Sequence, residues 1–136
     1  MSKKLFNFHH FGLALKNPTV AIEFYKNIGY RIGPKFIDKD QNVKLILCTS
    51  KLKPNIELVI PIATNSPIAN YLVRFDQAFY HTCYEINDLR AINFLKKKFN
   101  AKCVLSPRPS KIFNCRNVSF YYINKLGLIE IIENAK

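Results

Sequence analysis

The chain carries one pattern twice. His10-Phe11-Gly12-Leu13-Ala14-Leu15 and His81-Thr82-Cys83-Tyr84-Glu85-Ile86 each put a histidine at the head of a strand-forming run. The two histidines are 71 residues apart, about half of the 136-residue chain. A helix signal follows each run: Asn17 and Pro18 ahead of Ala21-Ile22-Glu23-Phe24-Tyr25-Lys26, and Asp88 ahead of Leu89, Ile92, Phe94 and Leu95. Each histidine also has a later carboxylate, alone in an aliphatic run. Glu57 lies in Asn55-Ile56-Glu57-Leu58-Val59-Ile60, 47 residues after His10, and Glu130 in Leu128-Ile129-Glu130-Ile131-Ile132, 49 residues after His81. Such a duplication admits only folds built from two copies of one unit.

Taken in order, each copy reads as βαβββ. The first has a strand at 8–15 and a helix opened by Asn17-Pro18-Thr19, with Val20, Phe24 and Ile28 as its expected buried stripe and Gly29 as its stop. Strands are expected at 30–37, 43–48 and 55–60, with a turn at 38–42. Between the copies, Ser66 and Pro67 predict the start of a short helix whose Ile68, Tyr71 and Leu72 face inward. The second copy predicts a strand at 79–86, a helix at 89–99 capped by Asp88, and a strand near 102–106. A long loop from Ser106 to Asn117 and strands at 118–123 and 127–132 complete it. The repeats, about 8–62 and 79–133, contain no separate domain boundary, so residues 1–136 read as one domain of the α+β class.

Bulk properties narrow the function. Hydrophobic residues make up 49%, too many for a disordered chain. No apolar run approaches the roughly 20 residues of a membrane span, and the start of the chain lacks a signal-peptide core, so a cytoplasmic protein is expected. The four cysteines form no CxxC pair, which predicts reduced thiols. A net charge of +12 points to anionic partners. The lysines are scattered apart from Lys96-Lys97-Lys98, which suits a solvated helix end. No nucleic-acid motif is visible, so a phosphorylated or carboxylated small molecule is the expected partner.

Alone, a histidine at a strand start or a glutamate in an aliphatic strand is commonplace. Together they are not, because burying an uncompensated carboxylate among Ile, Leu and Val costs several kcal/mol. Two such acids with matching histidines predict a common partner, and a divalent metal ion satisfies His10, Glu57, His81 and Glu130 together. Two imidazoles and two carboxylates suit Zn, Fe, Co, Ni or Mn. Glu85 and Glu133 have Ala14 and Ile60 at their matching places and are expected outside the ligand set; His9, one residue from His10, points to the other face.

On these residues the chain resembles the vicinal-oxygen-chelate superfamily of glyoxalase I, methylmalonyl-CoA epimerases, extradiol dioxygenases and bleomycin- and fosfomycin-resistance proteins. The likeness runs from about residue 8 to 133. Asn65-Ser66-Pro67-Ile68-Ala69 and His81-Thr82-Cys83-Tyr84-Glu85-Ile86 are most similar to the methylmalonyl-CoA epimerase-like members. The resemblance implies two tandem βαβββ modules forming an open, curved, mixed β-sheet barrel around a metal held by His10, Glu57, His81 and Glu130. It further implies a homodimer and a metal-dependent isomerase or lyase that enolises a carbonyl substrate, an acyl-CoA among the options. Glu130 or its counterpart Glu57 is the expected base. Arg108, Lys111 and Arg116 are the expected anion-binding residues. A lactoylglutathione lyase, a dioxygenase and a ligand-sequestering resistance protein are the alternatives. The chain departs from the epimerases in having no carboxylate in Val43-Lys44-Leu45-Ile46-Leu47 and in its loop Ser106–Arg116.

Overall fold

The structure, a computed structural model, describes residues 5–63, 65–66 and 68–134. It divides into two compact units, one of residues 10–80 and one in which 81–134 are joined by 5–9. Both are βαβββ modules, as the duplication requires, and the class is α+β.

The first module comprises β1 (Asn7–Leu15), α1 (Thr19–Asn27), β2 (Arg31–Asp38), β3 (Val43–Thr49) and β4 (Asn55–Pro61), followed by a short α2 (Ala69–Arg74). Its strands lie in the order β2-β3-β4-β1. The β1–β4 pair is parallel, and β2–β3 and β3–β4 are antiparallel. The second comprises β5 (Gln77–Ile86), α3 (Arg90–Phe99), β6 (Lys102–Ser110), a 3-10 turn (Lys111–Phe113), β7 (Arg116–Ile123) and β8 (Gly127–Glu133). Its order is β5-β8-β7-β6, again with one parallel pair, β5–β8, beside two antiparallel ones.

Period-two alternation gives each sheet two unlike faces. In the first module Leu13, Leu15, Ile46, Cys48, Ile56, Leu58 and Ile60 form one core face, against which Ala21, Ile22 and Tyr25 of α1 pack. In the second, Ile86, Tyr121, Ile123, Ile129 and Ile131 pack with Ala91 and Leu95 of α3. Glu57 and Glu130 lie between these aliphatic positions and therefore point to the other face.

Helix openings are duplicated as well. The Asn17 side-chain oxygen accepts the Thr19 amide at 2.9 Å, and the Asp88 carboxylate accepts the Arg90 amide at 2.9 Å. Each fills an amide that a helix start leaves unpaired.

Three expectations need correction. Val20 and Phe24 are 80% and 56% exposed, and Ile28 is also exposed; α1 instead half-buries the adjacent stripe, where the Tyr25 ring meets Tyr30 edge-on with centroids 5.1 Å apart. Both stripes fit the helical period, and the reach of the tyrosine decides between them. In α2, Leu72 is buried and Ile68 beside it is buried, but Tyr71 is exposed and its ring lies tilted against Tyr80 with centroids 5.7 Å apart. No side-chain hydrogen bond caps this helix: the Ser66 carbonyl accepts the Ala69 amide, and the predicted role of Pro67 lies outside the described residues. Finally, most of the expected loop Ser106–Asn117 is strand. β6 continues to Ser110 through two register shifts that absorb Pro107, and Pro109 stays on this edge strand.

Candidate functional site

The strand register builds the same half-site in each module. Glu57 on β4 lies opposite Gly12 of β1, two residues past His10. Glu130 on β8 lies opposite Cys83 of β5, two residues past His81. Parallel neighbours present facing residues on the same side, so each histidine shares a face with its glutamate. His10 Nε2 is 3.3 Å from Glu57 Oε1, and His81 Nε2 is 3.1 Å from Glu130 Oε1. All four residues are buried. The His81 ring also meets Phe120 edge-on, with centroids 5.2 Å apart, which fixes its plane.

These distances test the fit of a metal. Two donors each about 2.1 Å from one ion are themselves roughly 3.0–3.4 Å apart in tetrahedral or octahedral geometry. Both pairs have that spacing, and their donor atoms are the types that borderline divalent ions take.

Around the second half-site the register lays out a row of neighbours on the same face. Glu85 faces Ile132, which faces Val118, which faces Arg108. Arg108 therefore sits one row beyond Glu130 and two strands across. Its guanidinium donates to the Ser106 carbonyl at 3.1 Å and to the Ser106 hydroxyl at 3.2 Å. Lys111 is exposed at the start of the 3-10 turn. Arg116 is half-buried and donates to Glu85, to the Asn134 side-chain oxygen and, at 3.0 Å, to the Phe113 carbonyl. That network escapes a reading of the sequence, because its members are 31 and 18 residues apart and no motif marks them. Cys83 is buried beside Glu130, while His9 packs edge-on against Phe113.

Comparison with known proteins finds relatives of the chain. Residues 9–120 match the Glyoxalase/Bleomycin resistance protein/Dioxygenase superfamily. The ethylmalonyl-CoA/methylmalonyl-CoA epimerase of Cereibacter sphaeroides is 30% identical over 105 residues, covering 74% of this chain and 76% of that protein. The crystal structure of methylmalonyl-CoA epimerase from Mycobacterium tuberculosis is similar in fold, with a TM-score of 0.80 at 23% identity, over 95% of this chain and 88% of that one. A Streptomyces coelicolor methylmalonyl-CoA epimerase variant in complex with 2-nitronate-propionyl-CoA has a TM-score of 0.78 at 18% identity, over 97% of this chain and 99% of that one.

Proposed function

The chain belongs to the glyoxalase/bleomycin resistance protein/dioxygenase superfamily, and from that membership we propose that it is a metal-dependent epimerase of a short acyl-CoA thioester. One observation carries the reading: each module presents a buried His–Glu pair at the same register offset and with donor spacing that suits an ion. A pair alone supplies two ligands, whereas protein sites for such ions use three or four. In this reading His10, Glu57, His81 and Glu130 together hold one Zn, Co, Ni, Mn or Fe ion. When bound, that ion polarises the substrate carbonyl and acidifies the neighbouring C–H bond.

The chain's own residues do the rest. A carboxylate oxygen of Glu130 takes the proton from the carbon alpha to the thioester. Glu57, the matching acid of the other module, enters the cycle protonated and gives its proton to the opposite face of the carbon, which inverts the centre and leaves Glu130 protonated and Glu57 ionised until exchange with solvent resets the pair. No other carboxylate accompanies Glu57 on the neighbouring face positions of β3 and β4, where Leu45, Leu47, Asn55 and Val59 stand. Phe120 and the aliphatic strands keep water from the reacting carbon. Arg108 and Lys111 receive the anionic part of the substrate, a carboxylate or a CoA phosphate. The epimerase relative directs the choice of substrate to 2-alkylmalonyl thioesters. A homodimer completes the reading, and sedimentation velocity tests it through the mass of the sedimenting species.

The test is deuterium uptake at the alpha carbon of methylmalonyl-CoA and ethylmalonyl-CoA in heavy water, with Co or Mn supplied. Exchange is expected from the wild type. Glu130→Gln is expected to lower it by about 10²–10⁴-fold, the usual contribution of a positioned base. Metal-loaded protein that leaves both thioesters unlabelled sinks the assignment.

A further inference from the structure

Four residues downstream of His81 stands Glu85, and four downstream of Glu130 stands Asn134. Extending the β7–β8 register by two pairs puts Asn134 opposite Arg116, and extending β5–β8 by one puts it opposite Asn87. Side chains make that row real. Arg116 Nη1 donates to Glu85 and to Asn134, and Asn134 Nδ2 donates to Asn87 at 2.8 Å. The Asn134 amide also donates to the Ile86 carbonyl at 2.9 Å, carrying the β5–β8 ladder past the last paired residues. By parity all four side chains lie on the face that carries His81 and Glu130.

Resting on the proposed metal site, we propose that Arg116 is a positioning residue. It clasps β5, β7 and the end of β8 just beyond the two ligands and so sets the separation of His81 and Glu130. The geometry separates this role from direct substrate binding. The Arg116 side chain is 23% exposed and Glu85 is 26% exposed, so the pair is shielded enough to keep its strength. Its Nε and Nη1 donors are used on fixed acceptors from three segments, Glu85, Asn134 and the Phe113 carbonyl, so Arg116 meets a mobile anion through Nη2 at most. The Phe113 contact also anchors the turn that begins at Lys111, so one guanidinium ties the anion-binding segment to the strands of the half-site. The first module has no such clasp. Its matching positions are Ala14, Pro61 and Val43, with Val43 opposite Pro61 in the ladder. Among the described residues, such a charged clasp stands beside the half-site of His81 and Glu130.

Three measurements on Arg116→Ala and Arg116→Lys, with Glu85→Gln as the milder variant should Arg116→Ala fail to fold, test this. Amide hydrogen exchange on metal-free protein is expected to speed up in 81–86 and 128–133, with 55–60 unchanged. Co titration followed by its visible absorption is expected to show about tenfold or greater loss of affinity, the lower end for residues supporting a ligand shell, with partial recovery in Arg116→Lys. CoA inhibition is expected to change less than threefold, whereas Arg108→Ala weakens it. Unchanged exchange and Co affinity, with CoA inhibition lost in Arg116→Ala, overturns the clasp and makes Arg116 an anion ligand. Should wild type take up no Co, the metal reading falls while the exchange result still decides whether the clasp exists.

Discussion

An acid enclosed by aliphatic side chains is retained for what it binds, since a hydrophobe of similar size fills the same space without the desolvation cost. The double variant His81→Phe/Glu130→Met is therefore expected to leave metal-free protein as stable as wild type or more so. Urea denaturation with and without chelator checks this: chelator is expected to lower the stability of wild type purified with metal, by about 2.7 kcal/mol at a hundredfold excess of ion over Kd, and to leave the variant unmoved. Thiols divide by position in the same way. Cys48 and Cys83 are buried, whereas Cys103 and Cys115 are exposed. Burial pushes the Cys48 thiol up from 9.0 to about 11. A disulfide-exchange reagent at neutral pH is expected to titrate two thiols in native protein and all four in denaturant. The sign of the pH effect follows. Between 9 and 11 the unfolded thiol ionises while the folded one stays protonated, so stability falls as pH rises through that window, and Cys48→Ala removes this part of the slope.

Among the elements, the helices differ in how much each face contributes. Leu95 of α3 is 5% exposed within the second core, and Leu95→Ala is expected to cost about 2–5 kcal/mol. Val20→Ser on the outer face of α1 is expected to stay within about 0.5 kcal/mol. Asn17→Ala and Asp88→Ala each remove a helix-opening acceptor and should cost about 0.5–2 kcal/mol. At the β2 bulge, a side chain at Gly33 would bring its Cβ within 2.8 Å of the Leu47 carbonyl oxygen. That neighbour is backbone, so Gly33→Ala is expected to destabilise by about 1–3 kcal/mol. Chemical denaturation with comparison of midpoints and slopes measures all five.

At the scale of the whole molecule, the charge of +12 acts on encounter. Exposed charges are screened over about 10 Å at 0.1 M salt. The KM for a CoA thioester is expected to rise with ionic strength while kcat holds, and stopped-flow binding at several salt concentrations checks it. A fall in kcat with constant KM contradicts steering. Among the described residues no helix is long and apolar enough to cross a membrane.

The duplication, the βαβββ order and the pairing of each histidine with its glutamate were legible in the sequence. Alternation places residues on faces without knowledge of partners, and a lone acid between isoleucines announces its own cost. Sequence could not choose the buried stripe of α1, because 20-24-28 and 21-25 both satisfy the helical period, and only the packed sheet shows that Tyr25 reaches Tyr30. It could not see that Pro107 and Pro109 sit in an edge strand, where a missing amide costs little. Nor could it find Arg116 between Glu85 and Asn134, since that contact exists only once β5, β7 and β8 are in register. Local periodicity is written along the chain; contacts between distant strands are set by the ladder that aligns them.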